Sequence, residues 1–446
     1  MERSQKTISA IATPPGAGGI AVVRISGPKA IEVADRVFSS SVTDIPTHTV
    51  RYGKIHHNGE ILDEVLLVVM HGPRTFTGLD VVEIQCHGGS LIAKNILEAV
   101  LDAGAEMAGP GEFTYQAFMS GKIDLTRAEA IQSMIGAKNE LSLKAATSQL
   151  TGRLAKKVET FQSELLDAAA TLEASVDFPE EGLEFTVLEQ LLTSLRQTRT
   201  KMEHLKATFE EGKKLSEGIN LCLIGSPNAG KSSLMNTLLG QDRAIVTPLA
   251  GTTRDLLEAP LSLGGLHFQL TDTAGIRETD ELIEQEGIRR SRQAMEEADL
   301  VFLLVDLSSN DQTLLATAPK EKTLLIWNKV DLPHTTSQVE WPNQVAISAK
   351  TGEGIDLLKA KLEAMIWREG PPSKDEVVLT QARHKESLAS AILHLDQVIQ
   401  GCMNKVSPEF ISVDMRSCLQ SLSSILGIDI SEEILGQIFS KFCVGK

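Results

Sequence analysis

The sequence predicts a multidomain protein of the α/β and α classes, in which an α/β domain is inserted into a helical domain that follows an α+β module. Short apolar strands alternate with glycine turns over residues 1–120. Apolar residues then recur at helical spacing over residues 121–212, and this pattern resumes within residues 371–446. Between these halves, residues 213–370 carry apolar strands that each end in a glycine-rich or polar motif. That pattern is typical of a parallel sheet with a ligand at its carboxyl edge.

The composition indicates that the protein lacks a broad basic surface and belongs to a reducing compartment. The 446 residues carry a formal net charge of −16, so any RNA contact is expected from a local patch or through a partner. The five cysteines are scattered and lack CxxC spacing, which favours the cytosol and argues against a zinc site. No apolar signal core begins the chain and no apolar run reaches membrane-spanning length, so we expect a cytoplasmic protein with no membrane span.

The first module combines strands and helices with glycine clusters at the strand ends. Its predicted strands cover Ile20–Ile25, Val65–Met70 and Val81–Gln85, and its predicted helices cover Ala30–Phe38 and Ser90–Ala103. Glycines cluster at residues 16–19 and again directly after His87. Each cluster is typical of a tight turn, and the alternative is a close approach of the backbone to a ligand.

The helical segments are amphipathic and therefore need partners. One apolar stripe runs from Leu125 to Ile135 at three- and four-residue spacing, and a further helix is predicted over about Leu188–Glu211. The sequence GPPS at residues 370–373 marks a linker, after which helical spacing resumes at Thr380. Because helical halves flank the α/β unit, we expect one discontinuous helical domain.

A strand, a glycine loop and a helix follow one another over residues 219–239. Gly225–Ser232 has the sequence GSPNAGKS and fits the pattern G-x-x-x-x-G-K-[ST]. Its glycines let backbone N–H groups face phosphate oxygens, while Lys231 is predicted to reach the β- and γ-phosphates and Ser232 to bind Mg²⁺. This motif alone indicates a nucleoside triphosphate without selecting the base. The predicted nucleotide-binding residues of this stretch are Asn228, Ala229, Gly230, Lys231, Ser232 and Ser233.

Three later motifs, each at the end of a predicted strand, select guanine. The first, DTAG, begins with Asp272, which is predicted to hold Mg²⁺ through water. The second, NKVD, ends in Asp331, whose carboxylate can accept two hydrogen bonds from the guanine N1–H and N2–H₂ edge, which adenine does not offer. The third, SAK, begins with Ser348 and is expected to brace the base. The predicted nucleotide-binding residues of these motifs are Asp272, Thr273, Ala274, Gly275, Asn328, Lys329, Asp331, Ser348, Ala349 and Lys350.

The residues that support hydrolysis are less clearly marked. Ile276 stands where many signalling GTPases carry a glutamine that orients the attacking water, so another group must do this. Glu284, in the acidic stretch of residues 278–288, is the candidate, and the alternative is a solvated charge at a helix start. A threonine of the first switch loop should complete the Mg²⁺ shell, and spacing leaves Thr252 and Thr253 equally placed.

With these motifs in view, the chain resembles the MnmE/TrmE family of tRNA-modification GTPases over essentially its whole length. The residues that carry the resemblance are ATPPG at 12–16, GGI at 18–20, RISG at 24–27, FTG at 76–78, HGG at 87–89, PGEF at 110–113, DFP at 177–179, GTTRD at 251–255 and FCVGK at 442–446. The resemblance implies a tetrahydrofolate-binding-like dimerisation domain at 1–120 and an inserted Ras-like P-loop GTPase domain at 213–370. The helical domain then comprises 121–212 and 371–446, with the Cys-Val-Gly-Lys tail at its end.

The resemblance also implies how GTP is cleaved. The implied K⁺ ligands are the Asn228 side chain and the backbone carbonyls of Thr247, Leu249 and Thr252. This K⁺ would take the place of an arginine finger and neutralise developing phosphate charge, once a second nucleotide domain orders the loop. Thr253 would join Ser232 on Mg²⁺, and both Thr247 and Thr253 would contact the nucleotide. Glu284 matches the family's water-orienting glutamate and, with Lys231, would form the catalytic set.

A second ligand and several partners follow from the same resemblance. The positions that match folate contacts are Arg24, Glu83 and Lys122, and Lys446 is added as a further candidate. A pterin offers an amide and amine edge to a carboxylate, and its glutamate tail suits a cation. Cys443 is a candidate reactive thiol.

The implied assembly is a homodimer that joins an FAD-dependent partner of the MnmG (GidA) type in a heterotetramer acting on tRNA. It would add a carboxymethylaminomethyl (aminomethyl-type) group to C5 of the wobble uridine, with a tetrahydrofolate derivative as one-carbon donor. The alternative is a nucleotide-gated RNA-binding or ribosome-assembly GTPase, although no appended RNA-binding motif is evident in the sequence.

Overall fold

Two six-stranded sheets organise the part of the chain that the structure describes. The computed structural model describes residues 6–177, 185–241, 260–263, 265–272, 293–309, 313–333, 339–367, 370 and 376–445. The chain divides between two units. The first comprises Met1–Ile135, Gln149–Glu203 and Glu386–Lys446, and the second comprises Gly136–Ser148 and His204–Lys385. The domain boundaries that the sequence analysis places at 120, 212 and 370 stay predictions.

The first sheet belongs to the first unit. Its strands are β1 (Ile8–Ile11), β2 (Ile20–Ser26), β3 (Thr49–His57), β4 (Glu60–Met70), β5 (Val81–His87) and β6 (Glu106–Met107). They lie in the order β3-β4-β5-β2-β1-β6, and every pairing is antiparallel except that of β1 with β6. The three strands predicted in this module are confirmed.

Alternation along the central strands gives this sheet one apolar face. Val23 of β2 is fully buried, and helices α1 (Ala30–Val37) and α2 (Ser90–Asp102) cover its side of the sheet. Arg24, the next residue, belongs to the opposite face and stands beside Glu83 of β5 in the paired register. The fold therefore places this charged pair on the face that the two helices leave uncovered.

The second sheet belongs to the second unit and is mainly parallel. Its strands are β7 (Ile219–Gly225), β8 (Pro260–Leu263), β9 (Leu266–Asp272), β10 (Leu300–Asp306), β11 (Thr323–Asn328) and β12 (Gln344–Ala346). They lie in the order β12-β11-β10-β7-β9-β8, with β8 antiparallel at the edge. Every residue of β10 and β11 is buried, as expected for parallel strands covered on both faces. The carboxyl ends of β7, β10 and β11 consequently meet at one edge.

Helices account for most of the remaining described residues. They are α3 (Glu112–Met119), α4 (Leu125–Ile135), α5 (Glu140–Leu150), α6 (Arg153–Asp177), α7 (Phe185–Ala207), α8 (Phe209–Glu217), α9 (Lys231–Gln241), a helical stretch at 293–297, 3₁₀ turns at Thr313–Ala316 and Lys320–Lys322, α10 (Ile355–Ile366), α11 (Ala382–Met403), α12 (Pro408–Leu426) and α13 (Glu432–Phe439). Among the helices described, none has both the length and the apolarity needed to cross a membrane.

Helices α6 and α12 pack together in the first unit through the apolar stripes that the sequence predicts. Leu165 of α6 and Leu422 of α12 are buried. Gln162 of α6 donates a hydrogen bond to the Ser423 hydroxyl of α12 at 2.9 Å. Each of these two amphipathic helices is thus a partner that the other needs.

The structure corrects one predicted helix. The sequence predicts a continuous helix over about Leu188–Glu211, but two helices, α7 and α8, occupy this stretch with Thr208 between them. The Thr208 hydroxyl donates to the backbone oxygen of Leu205 at 2.7 Å and accepts from the backbone N–H of Leu379 at 3.1 Å. A threonine that bonds the backbone in this way competes with the helical ladder. The same hydroxyl thus bonds the local helix backbone and a backbone N–H far along the chain.

Candidate functional site

The loop after β7 has the conformation expected of a phosphate loop. It begins at Gly225 and ends at Lys231, where α9 starts. Asn228 and Gly230 have positive φ values of 63° and 100°, a left-handed conformation that helps successive N–H groups converge on an anion. The Lys231 ammonium donates to the backbone oxygens of Gly225 at 2.6 Å and Ser226 at 3.1 Å. The lysine is therefore held against the loop that it is predicted to serve.

The first turn of α9 presents hydroxyl groups that fit a bound Mg²⁺. Ser232 and Ser233 are exposed there, and Asn228 is exposed in the preceding loop. Mg²⁺ usually takes few protein ligands and fills the rest of its octahedron with phosphate oxygens and water. The residues that the structure describes contain no group of three His, Cys, Asp or Glu side chains able to hold a metal by themselves.

Asn328 joins the phosphate loop to the base motifs. Its side-chain amide donates to the backbone oxygen of Ala229 at 2.7 Å, and its side-chain oxygen accepts from the backbone N–H of Ala349 at 2.9 Å. A Cβ atom on Gly230 would lie 2.1 Å from the Asn328 amide nitrogen, so this position needs glycine. Asn328 is predicted to bind the nucleotide, and the structure shows it positioning two loops around the predicted site.

A third hydrogen bond extends this network to α9. The Thr237 hydroxyl donates to the backbone oxygen of Ala349 at 2.6 Å. The helix that starts at the phosphate loop is thereby tied to the SAK loop. Sequence reasoning missed Thr237, because a threonine in a helix gives no signal of a partner more than a hundred residues away.

The other members of the base motifs gather at the same carboxyl edge. Asp331 is exposed, as a carboxylate that reads a ligand must be. Ser348 is fully buried, and its hydroxyl accepts from the backbone N–H of Thr351 at 3.1 Å, which closes the SAK turn. Lys350 is exposed on that turn. The structure therefore brings together the NKVD and SAK residues that the sequence analysis singles out.

Beside these motifs lies an ion pair, which sequence reasoning missed. Asp306 ends β10 and pairs in register with Asn328, which ends β11. Its carboxylate accepts from the Lys329 ammonium at 2.6 Å. A carboxylate at the end of an otherwise apolar run was the available signal.

Several predicted site residues lie outside the described residues. They are Thr247, Leu249, Thr252, Thr253, Thr273, Ala274, Gly275, Glu284 and Lys446. Of the DTAG motif, the backbone of Asp272 is described as the last residue of β9, in register with Leu223 of β7. The predicted roles of these residues in binding Mg²⁺, K⁺, water or folate stay predictions.

A cavity of about 560 Å³ lies in the first unit on the face of the first sheet opposite α1 and α2. Arg24 and Glu83 line it, and the Arg24 Nε donates to a Glu83 carboxylate oxygen at 2.8 Å. The remaining lining residues are mostly apolar and comprise Met70, Phe76, Thr77, Val81, Ile123, Ile131, Met134 and Leu150. An apolar cavity with one charged pair suits a flat ligand that has a polar edge.

Of the other predicted folate residues, Lys122 lies outside this lining. Its ammonium donates to the backbone oxygen of Pro73 at 2.9 Å. The structure thus joins Arg24 to Glu83 and places the Lys122 ammonium at a neighbouring carbonyl.

The C-terminal tail lies along the cavity's charged pair. The backbone N–H of Gly111 donates to Cys443 O at 3.2 Å, and an Arg24 guanidinium nitrogen donates to Gly445 O at 3.2 Å. A Cβ atom on Gly445 would lie 2.5 Å from the backbone oxygen of Ile11, so only glycine fits. These contacts hold Cys443 at the surface, while the chain's other four cysteines are buried.

The glycine clusters of the first module approach each other. The backbone N–H of Gly18 donates to Gly88 O at 2.8 Å, and a Cβ atom on Gly88 would lie 2.2 Å from Gly18 O. This mutual contact explains why glycine is needed there. Beside it, the Asp63 carboxylate accepts from the His87 backbone N–H at 2.8 Å and contacts its ring Nδ1 at 2.7 Å.

A phosphate loop, an NKVD motif and a SAK motif at one edge of a parallel sheet define the class of protein, a P-loop nucleotide-binding protein with guanine-type motifs. Two family models match the chain, the "GTP-binding protein TrmE N-terminus" over residues 7–122 and the "MnmE helical domain" over residues 125–443. The chain belongs to the MnmE family.

Close relatives agree with these matches. The chain is 53% identical over 447 residues to the "tRNA modification GTPase MnmE" of Protochlamydia amoebophila (strain UWE25), covering 99% of this chain and 98% of that one. It is 42% identical over 440 residues to the protein of that name from Chlamydia felis (strain Fe/C-56), covering 99% of each. A solved G domain of the T. maritima FeoB iron transporter is 24% identical and covers 33% of this chain and 99% of its own, but its TM-score of 0.24 adds no support.

Proposed function

We propose that this chain is a GTP hydrolase that acts in tRNA modification. The observation that carries the GTPase assignment is the pair of Asn328 hydrogen bonds, which unites a phosphate loop with guanine-type base motifs at one sheet edge. Membership of the MnmE family, whose relatives carry the name tRNA modification GTPase, supports the assignment to tRNA. The five free cysteines agree with the cytoplasmic localisation that we also propose.

Hydrolysis is assigned to the residues around the phosphate loop. Lys231 binds the β- and γ-phosphates, while Ser232 and Thr253 are the residues that would hold Mg²⁺. Bound Mg²⁺ supplies positive charge against the phosphate oxygens. Glu284 orients the attacking water, because Ile276 has no polar group for this task. The exposed hydroxyl of Ser232 in the first turn of α9 supports its part of this assignment.

K⁺ stimulation is assigned to Asn228, with backbone carbonyls of the first switch loop as the other ligands. The exposed Asn228 side chain at the left-handed position of the loop supports this choice. Phosphate release should be faster in KCl than in NaCl, and Asn228→Ala should abolish this difference while GDP binding persists. Asn236→Ala, which changes an exposed asparagine of α9, is the matched control and should keep the K⁺ response. Equal rates in the two salts for the unaltered chain would exclude a K⁺ role.

The cavity of the first unit is proposed to bind a tetrahydrofolate derivative. The Glu83 carboxylate would accept from the amide and amine edge of the pterin, and the apolar lining would cover the ring faces. Glu83→Gln should weaken binding of a tetrahydrofolate derivative at least about 10-fold in calorimetry, since a charge-assisted hydrogen bond is lost. Glu64→Gln, which alters an exposed carboxylate of β4 paired with Lys54, should bind like the unaltered chain.

The modification itself is proposed to need a homodimer and an FAD-dependent partner of the MnmG type. Together they would add an aminomethyl-type group to C5 of the wobble uridine, with folate as the one-carbon donor. Mass spectrometry of tRNA from a deletion strain tests the whole assignment, and the modified wobble uridine should be lost. Unchanged uridines with accumulating ribosome precursors would instead favour a ribosome-assembly GTPase.

A further inference from the structure

Asp306 is a largely buried carboxylate that none of the nucleotide-binding motifs contains. It ends β10, and its side chain is only 10% exposed. Burying a carboxylate is costly unless charged or hydrogen-bonding partners compensate. The hydrogen-bond and ion-pair partners of Asp306 therefore indicate its structural role.

Those partners lie on two sides of the carboxylate. One oxygen accepts from the backbone N–H of Ser308 at 2.9 Å and from its hydroxyl at 2.6 Å. The other oxygen accepts from the Lys329 ammonium at 2.6 Å. Burial acts to raise the pKa of Asp306, but the bonds from Lys329 and Ser308 outweigh it and hold the pKa below the ordinary value. The serine bonds fix the carboxylate, and the fixed carboxylate holds the lysine.

The backbone conformation of Lys329 is unfavourable for a residue that carries a side chain, so favourable contacts such as this ion pair must compensate for it. Its φ value is 69°, in the left-handed region that residues other than glycine seldom adopt. It follows the paired ends of β10 and β11, since Asp306 and Asn328 are partners in the parallel register. The ion pair draws the lysine stem from the end of β11 towards the end of β10. Ligands of parallel sheets bind just outside these carboxyl ends.

We propose that Asp306 is a positioning residue of the guanine site, which holds Lys329 so that its aliphatic stem forms one fixed wall against the base. This inference rests on the proposed function, because it assigns Asp306 a task in guanine-nucleotide binding. Asp306 acts through Lys329 and belongs to none of the phosphate-binding motifs, so its loss should weaken nucleotide affinity and spare the chemical step.

The test is to measure the dissociation constant of a fluorescent GDP analogue for the full chain, together with kcat and KM for GTP. Asp306→Asn keeps the size of the side chain but removes the charge that holds Lys329. We expect the dissociation constant and KM to rise about 10- to 100-fold, with kcat within about 2-fold of the unaltered value. Ser309→Ala is the matched control, because the Ser309 hydroxyl donates to the backbone oxygen of Asp306 at 3.3 Å and its removal leaves the carboxylate and the ion pair intact; it should shift affinity by less than about 3-fold.

A double-mutant cycle separates positioning from general support of the fold. If Asp306 acts through Lys329, adding Asp306→Asn to Lys329→Met should cost less than about 3-fold more than Lys329→Met alone. If the double variant loses affinity by the product of the two single-variant factors, the two residues act independently and the inference is overturned. A fall in kcat as large as the rise in KM would also overturn it. Circular dichroism of each variant confirms that the chain is folded, and Asp306→Glu supplies a second, charge-preserving variant that should recover part of the affinity.

The outcome for the unaltered chain keeps the two proposals apart. If it fails to bind the GDP analogue, the proposed function is wrong and this inference falls with it. If it binds and Asp306→Asn binds equally well, only the role of Asp306 is wrong.

Discussion

Replacing Asn328 by alanine tests whether one side chain unites the phosphate loop with the base motifs. The substitution deprives the backbone oxygen of Ala229 and the backbone N–H of Ala349 of their partner. All three residues are at most 4% exposed, so water cannot readily replace the lost bonds. A buried polar group left unsatisfied costs about 1–3 kcal/mol, and two such groups should lower the unfolding free energy of the second unit by about 2–6 kcal/mol.

Thermal unfolding with and without GDP measures this loss. For a domain of this size, each kcal/mol corresponds to about 2–4 °C, so the melting temperature should fall by about 4–24 °C. The dissociation constant for GDP should also rise at least about 10-fold, because the two loops no longer hold each other in place. Thr237→Val is the control, since it removes only the outer hydroxyl of the network and should cost about 1 kcal/mol. Asn328→Ala protein with an unaltered melting temperature and GDP affinity would refute the bracing role.

Three further predictions concern other parts of the structure. A thiol reagent at about pH 8 should label one cysteine rapidly in the folded chain, and Cys443→Ser should remove that label. The reason is that Cys443 is exposed, while burial raises the pKa of Cys418 to about 12. Rapid labelling of a second cysteine would contradict the burial of the other four. Gly230→Ala should abolish GDP binding or unfold the second unit, since its methyl group would lie 2.1 Å from the Asn328 amide nitrogen and residue 230 has a φ of 100°. Gly240→Ala is the control and should bind normally, because no heavy atom lies within 4 Å of the added methyl group. Burial acts to raise the pKa of Asp63, but hydrogen bonds from His87 outweigh it and lower this pKa; the resulting stability is therefore present above the unfolded-state pKa of about 3.9 and is lost as pH falls through the lower folded-state value. Acid unfolding should be less steep in Asp63→Asn, and identical acid profiles would count against this coupling.

Much of the second sheet could be predicted from the sequence because its signals are local. Apolar runs such as Thr323–Trp327 end at a polar motif, and the structure confirms a strand there that extends one residue further, to Asn328. The phosphate loop has its own spacing rule, so its position between β7 and α9 was also predictable.

The remaining features depend on contacts between distant residues. The Thr208 hydroxyl accepts from the backbone N–H of Leu379, and the partnership of Asp306 with Lys329 requires two strands to lie side by side in register. The bracing role of Asn328 could not be predicted for the same reason, since sequence spacing shows which residues form a motif but not what their side chains bond. The Lys122 ammonium likewise meets a backbone carbonyl that no sequence pattern marks.

The double engagement of Asn328 also has a thermodynamic consequence. One amide group bonds both the loop for the phosphates and the loop for the base, so we expect the two halves of the site to be coupled. The factor by which occupancy of one half changes the affinity of the other is then the same in both directions. Guanosine and pyrophosphate, offered as separate molecules, should therefore help each other to bind. The intact nucleotide would then gain from a linkage that neither fragment reveals alone.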